Sequence, residues 1–413
     1  MKTESHKKSS IHPQIHPIMK NTSLLLSFAF VASYGFAQTK EIHFEKTTFA
    51  EIKAKAKKEN KLIFIDAYTS WCGPCKWMAK EVFTNDTVAD YFNSKFVNAK
   101  FDMEKGEGVE MAKTYSVQCY PNLLFIDGDG KLVHRGAGGQ PAQSFIKLAE
   151  EAFNPEKRYS KYTEQYASKK SDPAFLLDYM AIMDRSCMPA DDVLKDYFST
   201  QKEEALTNRT NWGAIRDYAN DPKSREFSYL LKNIDTYKKL YTEDSVESKV
   251  NQVLMQGGYR AFYKKGATEK DYTDYIEELK KFNYAGTEEI TFFLGLAYNE
   301  MVQDWAKYSK LAASQGDKFL KEPNEINNIA WALYEHSDDK DALSKADKWM
   351  QKAIVELPEW HLYDTHAAVL YKLQKKSEAK AAAKKAIEIA EKNGTPKEDY
   401  DGTIELLKKI EKL

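Results

Sequence analysis

The stretch Lys61-Leu62-Ile63-Phe64-Ile65-Asp66-Ala67-Tyr68-Thr69-Ser70-Trp71-Cys72-Gly73-Pro74-Cys75-Lys76 decides how this chain is read. Its first half, Lys61–Tyr68, is an apolar run broken by one internal acid, the pattern of a strand buried on both faces. Its second half sets two cysteines, two residues apart, where a helical segment opens. Backbone N–H groups left unpaired at a helix N-terminus, together with the macrodipole, favour negative charge. A cysteine placed there is held as thiolate, the attacking form of sulfur. The two intervening residues let both sulfurs share the first turn and close a small disulfide ring. Pro74 fixes φ and lacks an N–H that the first turn leaves unbonded in any case. The arrangement expected is a reversible dithiol/disulfide pair, with the sulfur of Cys72 exposed and that of Cys75 more covered. Its rivals are a zinc half-site and a structural disulfide. Zinc needs two more ligands at matching spacing. Cys119 and Cys187 lack a partner motif and the eight His form no helical ligand pair, so no metal is assigned.

Outward from this stretch, residues 38–153 alternate between strand-like and helix-like patterns, as an α/β domain does. Further strands are expected at Lys95–Asp102, Asn122–Ile126 and Lys131–Arg135. The last two flank Asp127-Gly128-Asp129-Gly130, a strong hairpin signal. Helices are expected at Phe49–Lys58, Cys75–Val82, Val109–Tyr115 and Ala142–Phe153. Pro141 lies where a helical first turn accepts it.

Before this region, Leu24–Ala32 is apolar, Lys20 precedes it and Gly35-Phe36-Ala37 follows it. A basic flank, a short apolar run and small residues before a cut describe a secretory signal. Cleavage is expected after Ala37, and Met19 is an alternative start that would make Met1–Ile18 an upstream extension. The run is short for a spanning helix, which needs ~20 apolar residues. Removing residues 1–37 takes away four Lys and one Glu, leaving 57 basic and 61 acidic residues and a net charge of -4. The expected location is periplasmic or secreted, where disulfide chemistry is permitted.

Composition sets the outer limits. The chain has 413 residues, which at ~150 per domain suggests two or three domains. Basic and acidic residues balance at 61 and 62, which excludes nucleic acid as an evident partner. Four Cys are too few for a disulfide-stapled scaffold. In residues 154–320 Gly and Pro become sparse, while Lys, Glu, Tyr and Leu dominate. Phe175-Leu176-Leu177, Tyr229-Leu230-Leu231 and Phe292-Phe293-Leu294 lie in helix-period patterns. In residues 321–413, Ala346, Ala353 and Ile354 recur as Ala379, Ala386 and Ile387, each offset by 33. Ala330 and Ala367 mark the earlier helix of each pair. Small residues seven apart share a helix face and admit a close neighbour. This near-repeat resembles tetratricopeptide repeats, with a generic helical bundle as the alternative. Either way the C-terminal half is expected to be all-helical, with faces suited to a protein partner.

Residues about 40–153 resemble the thioredoxin family. The resemblance rests on Trp71-Cys72-Gly73-Pro74-Cys75-Lys76, the strand containing Asp66, Tyr120-Pro121 before the next strand, and the final hairpin leading to Gly136-Ala137-Gly138-Gly139. Lys80–Asp86 looks more like secreted members and disulfide-reductase terminal domains than like the smallest cytosolic thioredoxins. The resemblance implies a central mixed sheet flanked by helices and a thiol–disulfide oxidoreductase. Cys72 is implied as the nucleophile, Cys75 as the resolving thiol, and Asp66 as a buried carboxylate relaying a proton for Cys75. A carboxylate in an apolar strand has its pKa raised by desolvation, which suits base catalysis near neutrality. The alternative for Asp66 is a strand-end carboxylate that reaches solvent. Pro121 is implied as a cis-proline facing the sulfurs. Trp71, Gly73, Pro74, Tyr120 and Gly136–Gly138 would frame a groove for an extended peptide, although Tyr120 is as well explained by packing. The family often carries a Lys where this chain has Asn98, with Lys100 two residues on, so the tuning of Asp66 is expected to differ. Cys119 stands where some thioredoxins have an extra Cys. It is read as an inert thiol, a regulatory thiol or a partner of Cys187, with two unreactive thiols as the default.

The expectation is therefore a reductase of protein disulfides serving redox homeostasis outside the cytoplasm. It needs no organic cofactor, because the dithiol is the redox group. An electron-donating partner, plausibly membrane-bound, recharges it. The alternatives are a disulfide isomerase and a non-catalytic module that binds proteins through the helical repeats.

Overall fold

A computed structural model describes residues 40–413. The expected signal segment, its cleavage after Ala37 and the Met19 start lie outside the described residues.

The N-terminal part is built on five strands: β1 (Phe44–Glu45), β2 (Leu62–Tyr68), β3 (Phe96–Asp102), β4 (Asn122–Ile126) and β5 (Leu132–Ala137). Their order across the sheet is β1-β3-β2-β4-β5. β2 runs parallel to β3 and antiparallel to β4, which makes the sheet mixed. The unbroken apolar character of β2 follows from two-sided cover. Phe64 faces a cluster with Met78, Phe92, Phe125 and Phe145, while Ile63 and Ile65 face another with Ile52, Val97 and Ile126. The Asp127–Gly130 turn closes the β4–β5 hairpin as expected. Asp127 Oδ1 accepts from the N–H groups of Asp129 and Lys131 at 2.9 Å each, and Gly130 takes a left-handed φ of 90°.

Five helices surround the sheet: α1 (Phe49–Glu59), α2 (Gly73–Trp77), α3 (Asp86–Lys95), α4 (Glu107–Thr114) and α5 (Ala142–Phe153). Three differences from the sequence reading have physical causes. The expected helix Cys75–Val82 begins two residues earlier, with Cys72 as N-cap, and widens to a π-helix over Met78–Val82. β5 runs two residues past Arg135, because Gly136 and Ala137 stay paired with Leu123 and Asn122. α3 and the short β1 were not anticipated. α3 nevertheless carries its own start signal: Asn85 accepts from the N–H groups of Thr87 and Val88, and Val88, Ala89 and Phe92 are buried. The Phe92 ring stacks on that of Phe145 at 4.1 Å.

Gly108 in α4 is fixed by close approach. A Cβ there would lie 2.0 Å from the Asp102 carbonyl oxygen. Backbone cannot swing aside as a side chain can, so Gly108→Ala is expected to cost about 1–3 kcal/mol, measured as a lowered urea midpoint at unchanged slope.

Beyond Phe153 the described chain is helical, beginning with α6 (Tyr159–Gln165), α7 (Pro173–Arg185) and α8 (Asp191–Ser199). The three motifs Phe175–Leu177, Tyr229–Leu231 and Phe292–Leu294 all fall in helices. One core cluster runs from Tyr159 to Tyr298 and a second from Phe292 to Val369, so Phe319 and Ile326 pack in the same interior. Ala346 and Ala353 are buried on helix Lys340–Glu356, as Ala379 and Ala386 are on helix Lys376–Lys392. Ile354 and Ile387, also 33 apart, are half-buried in both. The equivalent positions do equivalent packing. Among the described residues, no helix is long and apolar enough to cross a membrane.

Candidate active site

β2 delivers the chain to the site, and the turn after it reverses direction through a bond from the Cys72 N–H to the Thr69 carbonyl at 3.3 Å. α2 then starts at Gly73, with Pro74 in its first turn. Cys72 and Cys75 are joined by a disulfide, with Cα atoms 5.3 Å apart. The Cys75 backbone N–H donates to Cys72 Sγ at 3.1 Å. That donor is one of the orphan N–H groups of a helix start, aimed at the sulfur on which charge develops when the bond opens. Its placement matches the expectation.

The expected exposure of Cys72 is corrected. In the disulfide form residue 72 is 3% exposed, no more open than Cys75 at 4%. The bond lies in the first turn of α2, where both residues are covered. Attack on this disulfide therefore requires local movement.

Asp66 lies on β2, in register with Lys100 of β3 on one side and Leu123 of β4 on the other. It shares a sheet face with Phe64, which packs against Met78 directly after α2. The carboxyl is 4% exposed, so it does not reach solvent as a strand-end acid would. Among the described residues, Oδ1 has no hydrogen-bond partner. Burial pushes the pKa up to about 7, and the Lys100 charge pulls weakly the other way. Asn98, at the position where a Lys is common, is buried and turned to the Phe92 carbonyl and the Asn93 side chain. Among the described residues, the positive charge acting on Asp66 is that of Lys100.

The Tyr120–Pro121 bond is cis. The Pro121 carbonyl accepts from the Gly138 N–H at 2.9 Å, which ties this loop to the turn after β5. Gly139 sits against Pro74 and Trp77. Trp71 is 63% exposed, and its ring meets that of Tyr120 edge-on at 5.9 Å. The structure thus brings Trp71, Gly73, Pro74, Tyr120 and Pro121 together around Cys72 and Cys75. Gly136 is a correction. It is buried within β5, where a Cβ would fall 2.5 Å from Leu148 of α5, so it serves helix–sheet packing and does not line the groove.

Glu104 was not anticipated. Both of its carboxylate oxygens accept from the Trp71 indole N–H at 3.1 Å, holding the exposed ring in place. The loop carrying it is fixed by the Met103 N–H bonding the Tyr68 carbonyl at 2.8 Å. Nothing in the spacing of Glu104 distinguishes it from a solvated acid. The default reading of Cys119 and Cys187 is also overturned, because the two are joined as a second disulfide.

Residues 49–153 match the family described as a thioredoxin-like domain. Over 115 residues the chain is 29% identical to thioredoxin Y, chloroplastic, of Oryza sativa subsp. japonica, covering 28% of this chain and 65% of that protein. It is 36% identical over 74 residues to thioredoxin-1 of Drosophila melanogaster, covering 18% and 64% respectively. The chain thus spans a little under two thirds of the length of these curated relatives. A solution structure of a Bacteroides thetaiotaomicron protein, provisionally assigned as a disulphide-isomerase, shares 47% identity over 29% of this chain and 98% of that one, with a TM-score of 0.27. Residues 49–153 thus carry a thioredoxin-like domain, similar in sequence to thioredoxins.

Proposed function

We propose that this protein is a thiol–disulfide oxidoreductase that reduces protein disulfides outside the cytoplasm through Cys72 and Cys75. The observation that carries the reading is the Cys72–Cys75 disulfide on the first turn of α2, with the Cys75 N–H bonded to Cys72 Sγ. In the reduced protein the Cys72 thiolate attacks a substrate disulfide, forming a mixed disulfide and releasing one substrate thiolate. Cys75 loses its proton, with Asp66 as acceptor, and attacks Cys72 Sγ. The second substrate thiolate leaves and the Cys72–Cys75 bond is restored. Two electrons and two protons pass to the substrate. The dithiol is the redox group, and a membrane-bound dithiol donor recharges it.

The location rests on the basic-flanked apolar run Leu24–Ala32, followed by small residues. The helical half, with its tetratricopeptide-like spacing of 33, presents clients to the site. A second reading, disulfide isomerase, is favoured by the name given to the 47% identical Bacteroides relative. Recovery of activity from a scrambled multi-disulfide substrate, without excess reductant, separates the two.

Cys75→Ser removes the resolving thiol and leaves the attacking one. This variant is expected to accumulate mixed disulfides with client proteins in an envelope extract, seen as high-mass bands that collapse on adding dithiothreitol. An extract without such adducts rules out a protein-disulfide substrate.

A further inference from the structure

Cys119 directly precedes the cis Tyr120–Pro121 pair, and Cys187 lies in the connection between α7 and α8 with a left-handed φ of 53°. Their disulfide spans 68 residues of sequence, with Cα atoms 6.4 Å apart, and links the groove loop to the helical half. Both residues are half-buried, whereas Cys72 and Cys75 are buried. A sulfur of this second pair is therefore the easier one for an outside thiolate to reach.

The loop that it anchors has little else to hold it. Val117 still bonds back to the Ala112 carbonyl at 2.8 Å. From Gln118 to Tyr120, no backbone hydrogen bond forms among the described residues. Segments without such bonds open at low free-energy cost. What fixes this one is the Tyr120 ring against Trp71, the Pro121–Gly138 bond and the disulfide. On either side the anchoring is strong. The buried Arg135 guanidinium donates to the Tyr115 carbonyl at 2.8 Å and to Asn122 Oδ1 at 2.9 Å. The Ser186 hydroxyl, next to Cys187, donates to the Arg135 carbonyl at 3.3 Å. Cys187 thus sits on a rigid platform, and Cys119 on a loop that depends on it.

We propose that Cys119–Cys187 is a second redox centre, a tether that dithiols open reversibly and whose state sets the mobility of the substrate-facing loop. The attacking thiolate of a dithiol bonds one sulfur of the pair and displaces the other as thiolate. Its second thiol then closes the donor's own disulfide and frees both cysteines. Two electrons and two protons move from donor to tether. Closed, the Tyr120–Pro121 loop is held against the groove. Open, it loosens and client binding weakens. The effect on clients rests on the function proposed above, whereas the chemistry of the tether does not.

The test uses the full chain carrying Cys72→Ala and Cys75→Ala, so that the tether is the only remaining disulfide candidate. Under native conditions, graded dithiothreitol followed by alkylation and mass spectrometry is expected to label Cys119 and Cys187 together, and reoxidation to reverse it. Exchange of the Val117 and Gly138 amides, which bond the Ala112 and Pro121 carbonyls, is expected to rise about tenfold on opening, with β2 unchanged. Cys119→Ser/Cys187→Ser in the otherwise intact protein is expected to reproduce that rise and to increase KM for insulin several-fold at unchanged kcat. Thiols found free in the oxidised protein, a pair labelled only in denaturant, or exchange that ignores its state would each overturn the proposal. If the exchange response appears while insulin turnover is absent, the tether stands and the reductase reading fails.

Discussion

Cys72→Ser is expected to bring insulin-disulfide turnover down to the uncatalysed background, a loss of at least about a thousandfold. Serine keeps the shape of the N-cap and can still accept the Cys75 N–H, so the fold should survive. What disappears is an atom able to ionise near neutral pH and to bond sulfur reversibly. The burial of residue 72 in the disulfide form makes a second measurement decisive. In the reduced protein, alkylation of Cys72 across a pH series should titrate well below the ~8.5 of a free thiol. The hydrogen bond from Cys75 favours the charged form. Turnover by Cys72→Ser equal to that of the unaltered protein, or an ordinary sluggish thiol at position 72, removes the proposed mechanism.

The second large effect belongs to Asp66→Asn, and it runs in opposite directions for stability and rate. An unfolded Asp titrates near ~3.9, whereas burial holds Asp66 at about 7. Between those values the folded protein keeps a proton that the unfolded chain has released. The contribution of Asp66 to stability is therefore complete below pH ~4 and is lost as pH rises through about 7. At ~1.36 kcal/mol per pH unit, the loss approaches roughly 4 kcal/mol. Asn has the same shape and no charge to bury. Asp66→Asn should accordingly raise the urea midpoint markedly at pH 8 and hardly at pH 4. Turnover should fall about a hundredfold, because no group remains to take the Cys75 proton. A stability difference that does not vary with pH would mean that the acid is not desolvated. An unchanged rate would mean that it moves no proton.

The parts of this architecture that could be read in advance are those where local chemistry and packing demand the same residue. β2 announced itself because both of its faces are covered. The β4–β5 turn did so because Asp127 and Gly130 have few substitutes in it. Cys72, Pro74 and Cys75 were legible because a helix start imposes a short list of residues. α3 was legible in retrospect, from the Asn85 cap and its buried Val88, Ala89 and Phe92. Glu104 was not, since its role depends on where β3 ends relative to Trp71. Gly136 was misread because a glycine near a groove and a glycine beneath Leu148 look alike in one dimension. The Cys119–Cys187 pairing depends on how α7 and α8 dock, and no local pattern encodes that.

The strand order places β5 at a margin of the sheet. His134 on that strand is buried, and its Nδ1 accepts the Tyr159 N–H at 3.0 Å, while Arg135 packs on the Tyr159 ring. α6 therefore acts as a coping along an otherwise bare margin, of the kind on which stray strands dock and aggregates begin. The two halves are less like beads on a string than like a shelf and its bracket: the helices shield the very border that an isolated redox domain would leave open to its neighbours.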